Sequence, residues 1–214
     1  MLDLYVITDS SLSNGKTDSE VAKLAYEGGA EIVQLRMKNV SDFKILAQAK
    51  EIQNIANRMN RIFIVNDRID IAMASDADGV HLGQDDIPLE DARRIMGDEK
   101  IIGISVSTEK EAVEAYEGGA DYIAVGSIFN THTKKDAGDG LGLDIIIKIR
   151  KAVPDIPLVA IGGINLGNVK DVIRVGADAV AIISAVVAQK DIKKAAHDLR
   201  DSILKVRPHI PAPE

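Results

Sequence analysis

The chain has no cysteine, which excludes disulfides, thiolate metal sites and cysteine nucleophiles. Aromatic residues make up only 3% of its 214 residues, so a large core must be built from Ile, Val, Leu and Ala. No apolar run approaches the roughly 18 residues of a membrane span. The opening residues lack a basic segment followed by a long apolar stretch, which argues against a secretory leader and makes a cytoplasmic location the expectation. No Gly-x-Gly-x-x-Gly follows the first apolar run, which weakens a dinucleotide-binding reading. The formal charge of −7 argues against a general nucleic-acid or membrane surface. Small anionic ligands remain open, because a metal ion and a few local cations can reverse the field at one site.

What is present is a rhythm. Eight short apolar runs occupy residues 2–8, 31–36, 61–66, 78–82, 100–105, 121–126, 157–161 and 178–183. Several are almost continuously apolar and rich in Val and Ile, as strands covered on both faces are. Longer segments of helical periodicity lie between them. One, at 41–57, offers Ser41 as N-cap and Phe43, Leu46, Ala47, Ala49 and Ile52 as a buried stripe. A weak repeat, Gly28-Gly29-Ala30-Glu31, returns as Gly118-Gly119-Ala120-Asp121, as Gly176-Ala177-Asp178 and, more loosely, as Asp76-Ala77-Asp78. Each copy reads as a helix end, a tight turn and a buried strand. Eight such units in a chain of this size predict a single α/β domain, a (β/α)8 barrel, over residues 1–205. An open doubly wound sheet is the alternative. Residues 206–214 carry Pro208, Pro211 and Pro213 and read as a tail beyond the last helix.

In such a barrel the polar residues at strand C-termini share one mouth. Gln34, Arg36 and Lys38 alternate along the end of the second strand, so they lie on one side and suit a phosphate or pyrophosphate. Asn66-Asp67 and Gln84-Asp85-Asp86 end the third and fourth strands. Alone, each reads as a turn or helix start; together, Asp67 and Asp86 suit Mg²⁺, which takes one or two carboxylates plus substrate phosphates. His81 reads as a hydrogen-bonded core residue. Ser105 reads as a cap for the next helix or a ligand contact, with capping favoured. The long segment 126–138 carries Thr131, His132, Thr133, Lys134 and Lys135, a set suited to an anion; His132 itself reads as a bystander. Gly162-Gly163 and Ile183-Ser184 follow the seventh and eighth strands, where phosphate sites of such barrels form.

Gln-Leu-Arg-x-Lys, Val-Asn-Asp, Gly-Val-His-Leu-Gly-Gln-Asp-Asp, Thr-x-Thr-Lys and Ile-Gly-Gly-Ile occur here in that order. The combination resembles the thiamine-phosphate synthase family from about Leu4 to about Ala188. The resemblance implies a (β/α)8 barrel and a Mg²⁺-dependent transferase. Its reaction joins 4-amino-5-hydroxymethyl-2-methylpyrimidine diphosphate to 4-methyl-5-(2-phosphoethyl)thiazole, giving thiamine phosphate and pyrophosphate. It implies that Gln34, Leu35, Arg36, Met37, Lys38, Asn66, Ser105 and Lys134 contact the pyrimidine diphosphate, with Arg36, Lys38 and Lys134 stabilising the leaving group. It assigns Asp67 and Asp86 to Mg²⁺, and Thr131, Thr133, Gly163, Ile183 and Ser184 to the thiazole phosphate. The implied partners are phosphorylated small molecules; assembly into a homo-oligomer is left open.

Two departures stand out. Met37 replaces a Glu common in the family, and Ser127 and Asn130 replace prolines, which leaves the closing geometry of the 126–138 segment less constrained. A thiazole tautomerase of the same superfamily would carry a His where Ser127 stands and would lack the full acidic set. A non-catalytic precursor-binding protein would not require both carboxylates and Lys134.

Overall fold

The computed structural model describes residues 3–131 and 140–207. Eight parallel strands close into a barrel in chain order: β1 (Leu4–Ile7), β2 (Ile32–Leu35), β3 (Ile62–Asn66), β4 (Gly79–Leu82), β5 (Ile101–Val106), β6 (Tyr122–Val125), β7 (Leu158–Ile161) and β8 (Ala179–Ile182). Helices α1 (Asp18–Glu27), α2 (Asp42–Met59), α3 (Ile69–Ala74), α4 (Leu89–Met96), α5 (Glu109–Glu117), α6 (Asp144–Ala152) and α7 (Val169–Arg174) alternate with them. A short extra helix, α8 (Ser184–Val187), precedes the closing helix α9 (Ile192–Leu204). Every predicted apolar run holds a strand; only β5 overruns its prediction, by Val106. Pairing of β1 with β8, with Leu4 opposite Val180, excludes the open sheet.

Alternation within each strand explains the continuous apolar runs. Val6, Val33, Phe63, Val80, Ile102 and Ile123 pack outward against the helices. Tyr5, Ile7, Ile32, Ile64, Tyr122, Val159 and Ala181 fill the barrel interior. Both faces are therefore buried, and each Val, Ile or Leu so buried contributes about 1.5–3 kcal/mol of transfer free energy. The inward register also carries Gln34, His81 and Ser105 to the upper interior.

The α2 stripe differs from the sequence expectation. Ala49 and Ile52 are buried, joined by Ile45, Ile55 and Ala56, whereas Phe43 is 83% exposed and Ala47 is exposed. At roughly 100° per residue, Phe43 and Ala47 fall about 160° from the line through Ala49, Ile52 and Ala56. Ser41 is the N-cap residue as expected, but its side chain makes no cap bond.

The repeat has a role at the barrel floor. Glu31, Asp78, Asp121 and Asp178 each stand just before an even-numbered strand. Their carboxylates accept from the backbone N–H of Leu4 (2.9 Å), Phe63 (2.8 Å), Ile102 (2.7 Å) and Leu158 (2.7 Å) on the preceding odd strand. The N–H of each acid returns to the carbonyl of the same residue. Arg200, Arg93 and Arg150 pair with Glu31, Asp121 and Asp178 from the helix side. Four acid clamps thus terminate the odd strands, satisfying N–H groups that would otherwise be orphaned at the buried floor. Beyond α9, Val206 packs on the outer core and Arg207 pairs with Asp3, so the chain is docked two residues into the predicted tail. Pro208, Pro211 and Pro213 lie outside the described residues.

Candidate active site

The strand C-termini open onto a mouth of about 910 Å³ with a narrow inner recess of about 50 Å³. Gln34, Arg36, Asn66, Asp67, His81, Ser105 and Ile183 line the recess. Lys38, Asp86, Thr131, Gly163 and Ser184 line the wider mouth. The strand-end groups singled out from seven different strands, β2 to β8, therefore converge. Two of the implied contacts differ in placement: Leu35 is on the outward face of β2 and Met37 packs against the helix-facing core, so neither side chain lines the mouth. Thr133 and Lys134, with His132, lie outside the described residues.

Asp67 is held at the end of β3 with φ 61°, its N–H donating to the His81 carbonyl at 2.9 Å. Asp86 folds back to accept from the Gly83 N–H at 2.7 Å. Both carboxyl groups line the same mouth. Burial, then the neighbouring Asp86 carboxyl, raise the Asp67 pKa above the usual carboxylate range, while Lys38 opposes the shift. Two hard-oxygen donors held against mutual repulsion fit a divalent cation, and Mg²⁺ sites of this kind complete themselves with substrate oxygens. No group of three or more metal-ligating side chains forms among the described residues, so such an ion would depend on the substrate for further ligands.

Arg36 is set by the β1 loop. Its N–H donates to Thr8 Oγ1 at 3.2 Å, and its guanidinium pairs with Asp9 at 3.5 Å, both side chains being largely buried. The other Asp9 oxygen accepts from the Ser11 N–H and hydroxyl. Asp9, Ser10 and Ser11 line the mouth and were missed in the sequence, although Thr8-Asp9-Ser10-Ser11 shows the same polar strand end as the others. Ser105 corrects its capping assignment. It sits within β5, its Oγ 2.8 Å from His81 Nε2, and Thr108 caps α5 instead. His81 is buried and hydrogen-bonded, as expected.

On the opposite rim, Gly162 and Gly163 adopt φ +103° and +64°. A Cβ at Gly163 would lie 2.7 Å from Phe129 Cβ, and one at Gly162 would lie 2.6 Å from Ser127 Cα. Glycine is therefore required where the β7 loop passes the β6 loop.

Residues 4–186 match the family model described as thiamine monophosphate synthase. The chain belongs to the thiamine monophosphate synthase family. A thiamine-phosphate synthase of Methanoculleus marisnigri is 49% identical over 201 residues, covering 94% of this chain and 95% of that protein. One from Chloroflexus aurantiacus is 49% identical over 197 residues, covering 92% of this chain and 90% of that protein. Among solved structures, a thiamine phosphate pyrophosphorylase from Pyrococcus furiosus superposes with a TM-score of 0.88 at 42% identity, covering 96% of both chains.

Within this thiamine monophosphate synthase fold Asn130 makes a side-chain bond that proline could not, its Oδ1 accepting from the Gly140 N–H at 2.6 Å. The Ser127 backbone carbonyl, which a proline would equally present, accepts from Leu141 N–H at 2.8 Å. The base of the β6 loop is thus tied by hydrogen bonds.

Proposed function

We propose that the mouth joins 4-amino-5-hydroxymethyl-2-methylpyrimidine diphosphate to 4-methyl-5-(2-phosphoethyl)thiazole, releasing thiamine phosphate and pyrophosphate. The observation that carries this reading is the convergence of the Asp67–Asp86 pair with Arg36 and Lys38 at one opening. Asp67 and Asp86 would hold Mg²⁺, which when bound supplies Lewis-acid stabilisation of charge on the diphosphate. Arg36 offers its planar fork to phosphate oxygens, and Lys38 and Lys134 add compact positive charge. Together they favour departure of pyrophosphate from the pyrimidinylmethyl carbon, whose cation the electron-rich aminopyrimidine stabilises. Gln34, Asn66 and Ser105 grip the pyrimidine. Thr131, Thr133, Gly163, Ile183 and Ser184 hold the thiazole phosphate, so that the ring nitrogen faces the carbon as the bond to the diphosphate breaks. No protein nucleophile is needed.

The test supplies the two precursors separately and together. Thiamine phosphate should form only when both are present, in equal amount with pyrophosphate. Isomerisation of a thiazole phosphate carboxylate without any pyrimidine would assign the tautomerase chemistry instead, and binding of either precursor without product would assign a binding role.

A further inference from the structure

Five polar side chains form an unbroken hydrogen-bonded file through the barrel interior. Gln34 Nε2 donates to Tyr5 Oη at 2.6 Å. The Tyr5 and Tyr122 hydroxyls are 3.1 Å apart. Tyr122 Oη lies 2.8 Å from His81 Nδ1, and His81 Nε2 lies 2.8 Å from Ser105 Oγ. Both phenols are 2% exposed, in an interior otherwise filled by aliphatic side chains. The fold makes room for this arrangement. Gly103 faces the Tyr122 ring, and a Cβ there would fall 2.0 Å from its Cζ. The imidazole stacks on the same ring, with centroids 5.5 Å apart. Aliphatic packing alone would need neither the phenols nor the glycine.

The direction of the file follows from donor counting. A phenol has one proton to give, and a neutral imidazole has one donor and one acceptor nitrogen. With Gln34 donating to Tyr5, the Tyr5 proton goes to Tyr122 and the Tyr122 proton to His81 Nδ1. His81 Nε2–H then donates to Ser105 Oγ. Gln34 keeps its amide oxygen for the recess, and Ser105 keeps its own proton to give. Reversing either end requires the Gln34 amide, two phenols and the His81 tautomer to reverse together. One end of the file therefore accepts while the other donates, and both end residues line the inner recess.

We propose that Tyr5, Tyr122 and His81 are positioning residues that fix Gln34 as an acceptor and Ser105 as a donor, and so select an aminopyrimidine over its oxo counterpart. This rests on the pyrimidine-binding role proposed above for Gln34 and Ser105. An aminopyrimidine brings an exocyclic donor and ring-nitrogen acceptors, matching the two ends. The oxo form brings a carbonyl acceptor and a ring N–H donor, which meet like with like. A site built to hydrogen-bond one pattern discriminates strongly, because the mismatched ligand leaves buried groups unpaired.

The experiment compares kcat/KM for the 4-amino and 4-oxo pyrimidine diphosphates in the wild type, Tyr122→Phe and Tyr5→Phe, with thiazole phosphate and Mg²⁺ present. Each substitution keeps the ring and removes one link. The amino-over-oxo preference should fall by about 10–100-fold in each variant, the loss expected when a buried hydrogen bond is no longer held in register. The KM for the thiazole phosphate should stay unchanged. Nitrogen-15 NMR of the His81 ring should show a proton on Nε2 in the wild type and a tautomer mixture in Tyr122→Phe. A folded Tyr122→Phe that keeps the wild-type preference, or a wild-type His81 protonated on Nδ1 alone, would overturn the proposal. If Tyr122→Phe does not fold, Tyr5→Phe decides by the same ratio. A wild type that turns over neither pyrimidine defeats the functional reading. A wild type that is active, with its preference intact in both variants, defeats only the file.

Discussion

Replacing Asp121 with alanine removes two interactions at the barrel floor and none at the mouth. The carboxylate accepts from the Ile102 N–H at 2.7 Å, and Ile102 is fully buried, so that N–H would be left without its acceptor. An unsatisfied buried donor costs about 1–3 kcal/mol. The same carboxylate pairs with Arg93 at 2.6 Å, but Arg93 also donates to the carbonyls of Gly97, Lys100 and Gly119 and would not be stranded. A half-exposed pair of this kind adds less than about 1 kcal/mol. The expected total is about 2–3 kcal/mol, which for a domain of this size lowers Tm by roughly 5–10 °C. Urea unfolding should show the loss as a lower midpoint with an unchanged slope. Asp76→Asn is the control. Asp76 pairs with Lys100 from a largely exposed position, and asparagine suits its left-handed backbone (φ 55°), so removing the charge should cost less than about 0.5 kcal/mol. Because the clamp faces away from the mouth, kcat of folded Asp121→Ala should match the wild type. A destabilisation equal to that of Asp76→Asn would refute the clamp, and a lowered kcat in fully folded protein would refute the separation of floor from mouth.

At the mouth, Asp67→Asn and Asp86→Asn should each lower Mg²⁺-dependent turnover at least about 100-fold, since metal stabilisation of developing charge is worth several kcal/mol. Melting of the metal-free variants should show no loss of stability; normal rates would defeat the assignment. Arg36→Lys should raise KM for the pyrimidine diphosphate and fail to restore wild-type kcat/KM, because an ammonium cannot reproduce the fork. A wild-type value would remove Arg36 from phosphate recognition. The Asp67 carboxyl has its folded pKa raised, mainly by burial and by Asp86. Its contribution to stability is therefore present at low pH and is lost as pH rises through that raised value. Stabilisation by Mg²⁺ should grow over the same span above pH about 4, because ion and proton compete for the pair. Thermal melts with and without Mg²⁺ across that range check it, and a pH-independent increment would contradict it.

The strands were legible because burial on both faces leaves no room for polar residues until the chain emerges at the mouth. The same emergence made the meeting of Gln34, Arg36, Asn66, Asp67 and Asp86 at one mouth readable. The α2 face was misread because apolar residues are spread around the helix, and only packing selects the line that continues through Ala56. The acid repeat was visible, but its purpose was not, since nothing local tells which N–H a carboxylate reaches across a strand. The linkage of His81 to Tyr5 and Tyr122 was hidden for a related reason. Each sits in a run that reads as core, and only barrel closure brings β1, β4 and β6 together across the interior. Ser105 was taken for a cap because helix α5 follows closely, whereas the strand extends past it and Thr108 takes that role.

The most direct measurement follows thiamine phosphate and pyrophosphate in one reaction of purified protein with both precursors, first with Mg²⁺, then with EDTA, then with Mg²⁺ restored. The account predicts equal formation of both products, abolished by the chelator and recovered on adding the ion back. Undiminished formation in EDTA would contradict the assignment of Asp67 and Asp86 to a catalytic Mg²⁺, and absence of both products with Mg²⁺ present would contradict the proposed reaction.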